Sequence, residues 1–401
     1  MQVRLLQTRL ASSKHNVLLL GPRQVGKSTL LKGLRPDRFL NLADEGNFLA
    51  YAKDPGRLRR EVEALTRPGL IVVDEIQRVP RLLNTLQALM DDLPVRHRFL
   101  LSGSSARKLK SGGANLLPGR LIVEHLPPLT VFETGDTFDL DRALQVGMLP
   151  GVYLEPEGGE LLLGTYADTY LREEIRGEAM VREIGSYARF LDVMALTSGQ
   201  WLNYAKLSRD TEIPKETFRR YVAILEDTLL AVRLPAFVPR LKTSRRVGQR
   251  DRLLLFDVGV RNALIGLHRR PPTADQRGML FEQWLILQIH SLGQLARQGW
   301  QFSAYRTDGG AEVDLVVETD DEIIGLEIKS GRAVALADTR GLDSLGEMIG
   351  KSKPYRRMLA YAGTTRQRFP NGVEAWPWRE VLEWFRTLGT PSIRSARRKG
   401  S

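Results

Sequence analysis

Cysteine is absent from all 401 residues. That absence excludes disulfides, cysteine-ligated zinc and thiol catalysis, and it fits a reducing cytoplasm, which is the expected location. No apolar run approaches the roughly 20 residues needed to cross a bilayer, no signal peptide is visible, and no internal repeat is present. Acidic residues are the minority, 47 Asp+Glu against 59 Lys+Arg, leaving a net charge of +12. Such an excess serves an anionic partner, and charge alone does not separate nucleic acid from an anionic membrane. No basic amphipathic helix stands out, whereas a helix-turn-helix-like segment does, so the expected partner is DNA and not a membrane. A chain of this length has room for two or three domains, each with its own core.

The most specific pattern lies near the start. The apolar run Asn16–Leu20 leads into Gly21, Pro22, Arg23, Gln24, Val25, Gly26, Lys27 and Ser28, which fits G-x-x-x-x-G-K-[ST], and Thr29 opens a helical pattern. In this strand-to-helix setting the glycines allow a tight loop whose N–H groups surround phosphates, and Lys27 reaches the terminal ones. These nine residues are the expected ATP-binding set, with Ser28 holding Mg2+. The buried-strand pattern Leu70–Val73 ends in Asp74 and Glu75. There Asp74 is expected to hold Mg2+ through water and Glu75 to polarise the attacking water. A third apolar run, Arg98–Leu101, ends at Ser102, a candidate for sensing the γ-phosphate, with Ser104 the weaker candidate; serine and glycine also make ordinary turns. Arg120 follows a glycine-rich stretch and precedes another apolar run, as an arginine finger offered to a neighbouring subunit's ATP would.

The middle of the chain turns helical. Leu161 to Arg176 reads as a lid helix over the nucleotide, and three further helices are expected at Tyr187–Leu196, Tyr204–Asp210 and Lys215–Leu230. In the third, Phe218, Val222, Leu225 and Leu229 share a face, while Lys215, Arg219 and Arg220 point elsewhere. With Ala231–Leu234 entering a wing, this suits a winged helix in which those three cations and the later Arg240, Lys242, Arg245 and Arg246 contact DNA phosphates. Residues 191–250 hold eleven Lys/Arg against six Asp/Glu. A solvated helical face joined to a basic loop has the same composition.

Further on, the runs 311–318 and 323–330 flank an acidic turn at Asp320-Asp321. A hairpin centred there sets residue numbers across the ladder to sum to 641, so Val313 faces Ile328, Leu315 faces Leu326 and Val317 faces Ile324. The other face then sets Asp314 against Glu327 and Glu312 against Lys329, about 5 Å apart at Cβ. Two facing carboxylates repel unless a cation joins them. Glu282, at helical spacing with Met279, Leu285, Ile286 and Ile289, adds a largely buried third carboxylate, which needs a partner. Glu282, Asp314 and Glu327-x-Lys329 resemble the PD-(D/E)xK nuclease superfamily, a resemblance that implies a second Mg2+ or Mn2+ on those acids, with Lys329 alongside.

Gly21–Ser28, Val73–Pro80, Leu101–Ala106 and Gly119-Arg120 together resemble the bacterial and archaeal AAA-type ATP-binding proteins whose second half is a domain of unknown function. The likeness continues through Gly147–Tyr153, Tyr166–Ile175, Asn203–Leu234 and Gly310–Asp314, covering nearly the whole chain. Where the family commonly reads Leu-Glu-Arg-Asp-Ile, this chain has Leu171-Arg-Glu-Glu-Ile175, with the arginine displaced by one position. The order of P-loop, lid and winged helix also resembles Holliday-junction branch-migration motors.

The expected architecture is α/β. A P-loop AAA+ core occupies 1–126, a helical lid 127–185, a winged helix 186–250, a restriction-endonuclease-like α/β domain 251–388 and a disordered basic tail 389–401. The implied assembly is a homo-oligomer, in its fullest form a hexameric ring, since an arginine finger needs a neighbour. Three functions remain open. They are, in order, a motor that remodels or translocates duplex or branched DNA, an ATP-gated metal-dependent DNA nuclease, and an ATP-dependent switch acting on a protein partner.

Overall fold

Alternation along three apolar strands builds the first sheet. In the computed structural model β1 (Asn16–Leu20) lies between two neighbours, and the five parallel strands run in the order β2-β3-β4-β1-β5, with β2 (Arg38–Asn41), β3 (Leu70–Asp74), β4 (Arg98–Gly103) and β5 (Leu121–His125). Leu18 and Leu20, Ile71 and Val73, Phe99 and Leu101 face Leu58, Val62, Leu82, Leu83 and Leu86 on one side. Val17 and Leu19, with Val72 and Leu100, face Leu6, Leu10, Leu30 and Leu31 on the other. Covering both faces is what a parallel sheet of continuous apolar strands requires. The structure describes residues 4–92, 96–104, 119–155, 157–171, 184–238 and 250–389, apart from the side chains of 169–171 and 184. Arg240, Lys242, Arg245, Arg246, most of the expected tail and the last residues of the expected lid helix lie outside them.

Helices Leu140–Val146, Pro150–Tyr153 and Gly159–Thr165 follow, the last continuing as a π-helical turn at Tyr166–Leu171. The helices Leu140–Val146 and Gly159–Thr165 and the π-helical turn pack against the helix Val258–Leu264, beyond the expected boundary at residue 250. Asp257 fixes this contact. Its carboxylate caps the Val258–Leu264 helix at Val260 N (3.0 Å) and accepts from Met148 N (2.7 Å). Burial pushes the Asp257 carboxyl up to about 6, against the pull of those N–H groups.

Three helices, Ile184–Leu196, Tyr204–Thr211 and Lys215–Asp227, lead into the antiparallel pair β6 (Ala231–Leu234) and β7 (Arg252–Leu255), and Trp201 makes an isolated bridge to Arg252. Phe218, Val222 and Leu225 are buried as the spacing predicts, while Leu229, past the helix end at φ 62°, is only half-buried.

The C-terminal region is a six-stranded sheet in the order β12-β13-β11-β10-β9-β8, with β8 (Gln301–Arg306), β9 (Glu312–Glu318), β10 (Ile323–Lys329), β11 (Tyr355–Tyr361), β12 (Gln367–Arg368) and β13 (Glu374–Pro377). The long helix Ala274–Ala296 and the helix Trp378–Leu388 cover one face. The helix Arg340–Ile349 covers the other.

The β9–β10 hairpin keeps the sum of 641 from Glu318–Ile323 to Val317–Ile324, Val316–Gly325 and Leu315–Leu326, and the ladder ends there. Beyond it the expected pairing fails. Asp314 turns its side chain into the ladder, and Oδ2 accepts from Ile328 N at 2.8 Å. Val313 joins the core under the helix Arg340–Ile349, opposite the face that holds Leu315 and Val317. A register shift in the β8–β9 ladder between Ser303 and Tyr305 accompanies the change, and a bulge of this kind reverses which face later residues take.

Candidate nucleotide site and C-terminal carboxylate cluster

The strand order β3-β4-β1 sets the ends of three strands side by side. Asp74, Ser102 with Gly103, and Leu20 with Gly21 therefore share the carboxyl edge of the sheet, where open α/β sheets hold ligands. The loop after β1 passes so close to the chain after β5 that a Cβ on Gly21 would lie 2.5 Å from Leu126 O. Gly26, at φ 91°, turns the loop into the helix Lys27–Gly33. Lys27 is buried, its Nζ donating to Gly21 O (2.8 Å) and Pro22 O (2.9 Å). Pro22 and Val25 are buried, Arg23 and Ser28 half-buried, and Gln24 and Thr29 exposed.

The acids form a connected network. Ser102 Oγ donates to Asp74 Oδ1 and accepts from Glu75 N at 3.2 Å. Gln77 Nε2 donates to Glu75 Oε2 and to Ser104 Oγ (3.0 Å). Asp74, Ser102, Ser104 and Gln77 are buried, and Glu75 takes φ 58°, a left-handed conformation that costs a non-glycine residue energy and recurs at functional sites. Ser102, expected to reach the γ-phosphate, is thus engaged with the two acids. Gln77 lies in the Val73–Pro80 run, but sequence assigned it no role.

Arg120 is at the other end. It directly precedes β5, whose Leu121 pairs with Asn16 at the start of β1, so it lies about 16 Å along the strands from the P-loop. Its Nε pairs with Asp91 at 2.7 Å. Arg4, also missed, braces the loop instead. Nη1 donates to Val25 O (2.5 Å), Nη2 to Pro127 O (2.7 Å), and Nε to Glu133 (2.8 Å).

The loop and the acids fit a nucleoside triphosphate with Mg2+. Gly21 leaves the close approach open, Lys27 and the loop N–H groups would hold phosphate, and Ser28 and Asp74 would hold the ion. The metal would supply neutralisation of phosphate charge.

In the middle region Lys215, Arg219 and Arg220 are exposed on the helix Lys215–Asp227. Arg219 pairs with Glu216 (3.0 Å) and lies over the Tyr204 ring, and Arg220 lies over Tyr221.

In the C-terminal region Glu282 is half-buried on the helix Ala274–Ala296 and ion-paired with Arg252. Arg252, whose side chain is 5% exposed, also donates to Gly199 O (2.7 Å) and to the backbone O of Asp314 (3.0 Å), and lies 4.0 Å from the Asp314 carboxylate. Glu327 Oε1 takes Lys329 Nζ at 2.8 Å, while its Oε2 is buried with no hydrogen-bond partner among the described residues. Burial, then Glu282 and Glu327, push the Asp314 carboxyl well above the usual range, and burial also raises Glu327 against the pull of Lys329. Among the described residues no group of three or more acidic or histidine side chains is arranged to hold a metal ion. Arg252, at the head of the buried run Arg252–Phe256, is a further residue that sequence reasoning missed.

A parallel sheet with a P-loop and paired acids at its carboxyl edge defines an AAA-type ATP-binding domain. Residues 13–135 match the AAA domain family, 137–270 a domain of unknown function (DUF8612), and 277–381 a domain of unknown function (DUF4143). The chain thus joins an N-terminal AAA domain to a C-terminal DUF4143 domain. Two curated relatives, the uncharacterized proteins Rv2008c of Mycobacterium tuberculosis and Mb2031c of Mycobacterium bovis, are each 29% identical over 370 residues, 91% of this chain and 80% of theirs. Similar solved structures include PH0952 of Pyrococcus horikoshii, a Signal Transduction ATPase with Numerous Domains protein (13% identity, 72% of this chain, 46% of that one, TM-score 0.22). Another is NtrX of Brucella abortus (14%, 73% and 62%, TM-score 0.25). A third is protein VC1899 of Vibrio cholerae (12%, 93% and 96%, TM-score 0.22). The chain spans less than two thirds of the length of the first two, and TM-scores this low carry no structural argument. No helix among the described residues is long and apolar enough to cross a membrane.

Proposed function

We propose that the protein hydrolyses ATP and uses the cycle to remodel or translocate duplex or branched DNA. The observation that carries the ATPase reading is the network joining Asp74, Ser102, Glu75, Gln77 and Ser104 beside the P-loop. In this reading Lys27 and the loop from Gly21 to Thr29 bind the triphosphate, Ser28 and Asp74 hold Mg2+, and Glu75 takes the proton of the attacking water. Gln77 holds the Glu75 carboxylate in place, and Ser102 ties the Asp74 carboxylate to the backbone at Glu75. In this reading Arg120 completes the site of a neighbouring copy in a homo-oligomer, which its distance from its own P-loop supports.

The DNA part rests on the middle region. Three helices and an antiparallel strand pair suit a winged helix, and Lys215, Arg219 and Arg220 are exposed on its third helix in a chain of net charge +12. Phosphate release by the purified chain, measured alone and with single-stranded, duplex and four-way branched DNA, tests both parts. Stimulation by one of these DNA forms is expected. Turnover that ignores every form removes the DNA reading, and no turnover under any condition removes the ATPase reading.

A further inference from the structure

The carboxylates Glu282, Asp314 and Glu327 resemble the seat of a second divalent cation, yet their surroundings do not fit one. A divalent ion draws several carboxylate oxygens to within about 2.0–2.6 Å of one point. Here one oxygen of each acid is already engaged, while Glu327 Oε2 is buried with no hydrogen-bond partner among the described residues. Glu282 is ion-paired with Arg252, Asp314 Oδ2 accepts from Ile328 N at 2.8 Å, and Glu327 Oε1 accepts from Lys329 at 2.8 Å. The nearby Glu312 accepts from Trp201 Nε1 at 2.7 Å. At the centre lies a guanidinium that touches two of the three acidic residues, donating to Asp314 through its backbone O at 3.0 Å.

We propose that Arg252 is the resident cation of this cluster, so that the cluster is a charge-paired anchor between the middle and C-terminal regions and not a metal centre. Arginine suits the task, because its five donors are fixed in a planar fork and it stays charged when buried. A metal ion placed among the same oxygens would meet that charge where little water screens it. The anchor also has a direction. Arg252 belongs to β7, pairs with Leu234 of β6 and bridges to Trp201, so the charge comes from the module that carries Lys215, Arg219 and Arg220 and ends in the C-terminal sheet.

The test is independent of ATP turnover and uses the full chain, purified without nucleotide. Free Mn2+ is followed by electron paramagnetic resonance during titration into the parent protein and into Asp314→Asn, which keeps an oxygen for the Ile328 N–H. Identical isotherms are expected. A manganese site present in the parent and lost in Asp314→Asn overturns the proposal, and so does manganese-dependent DNA cutting lost in that variant. A second arm removes the arginine. Arg252→Met leaves the acids uncompensated and is expected to lower the melting temperature on the order of 10 °C, whereas Arg252→Met with Glu282→Gln recovers most of the loss. An unchanged melting temperature in the single variant, or no recovery in the double variant, overturns the proposal. Should Arg252→Met fail to fold, the Asp314→Asn titration decides alone.

Discussion

Ser102 at the end of β4 donates its hydroxyl to the carboxylate of Asp74 at the end of β3, and the same oxygen accepts the N–H of Glu75. One buried hydroxyl therefore ties the Asp74 carboxylate to the backbone at Glu75. Replacing it with Ser102→Ala leaves Asp74 one donor short and Glu75 N without that acceptor. A buried bond to a charged group is worth about 1.5–3 kcal/mol, so ATP turnover is expected to fall roughly 10- to 100-fold. Steady-state phosphate release is the measurement, and a change below twofold removes this role for Ser102.

Glu75 and Gln77 separate chemistry from positioning. Glu75→Gln is expected to lower kcat by about 10²–10⁴-fold, the usual contribution of a general base, while leaving ATP affinity nearly intact. Gln77→Leu removes the donor that Glu75 shares with Ser104 and is expected to lower kcat by less, with KM for ATP unchanged. A Gln77→Leu variant whose KM rises while kcat holds would assign Gln77 to binding instead.

Arg120 is tested by mixing. Lys27→Ala subunits keep Arg120 but lose phosphate binding, and Arg120→Ala subunits keep the P-loop but lose the finger. Each alone is expected to be inactive, while an equimolar mixture regains a measurable fraction of parental turnover. A mixture that stays at the level of its components shows that Arg120 does not act across subunits. Asp91→Asn, which breaks only the 2.7 Å pair with Arg120, is expected to leave turnover within about twofold, because an exposed pair contributes little.

The exposed helix cations predict a salt effect. Lys215→Gln, Arg219→Gln and Arg220→Gln each remove one phosphate contact in the DNA reading, so each is expected to weaken DNA binding without regard to sequence and to reduce the salt slope by about one. Fluorescence anisotropy of a labelled duplex across a salt series gives both numbers. Parental slopes in all three variants exclude this helix from the DNA surface.

His290 predicts a pH dependence. It lines a cavity of about 260 Å³ with His125, Glu226 and Arg233, beside Gly21 and Pro22. Burial first, and His125 second, lower its imidazole from the ordinary 6.5 to about 4. At this site the folded protein therefore binds fewer protons than the unfolded chain between those values, and stability from this group is lost as pH falls through that window. Asp257, raised to about 6, acts in the opposite sense and gains stability as pH falls. Comparing the parent with His290→Phe cancels Asp257. Urea midpoints are expected to diverge in favour of the variant from pH 6.5 down to 4 and to run parallel above 7.

What the chain by itself determined is local. The P-loop is legible because its function resides in contiguous backbone turned by Gly21 and Gly26, and Asp74 and Glu75 because an apolar strand must end where its acids begin. The hairpin sum of 641 is legible because a short turn sets the register for the residues next to it. Tertiary structure decided the rest. The ladder ends at Leu315–Leu326, where the neighbouring strand shifts register and Asp314 spends its side chain on a backbone N–H. Arg4 meets Glu133 across 129 residues, Gln77 meets Ser104 across 27, and Arg252 meets Glu282 across 30. No spacing rule couples residues so far apart. Which acid receives a guanidinium in place of a metal ion depends on which buried strands the fold brings side by side, since a charge out of water takes whatever partner lies within reach.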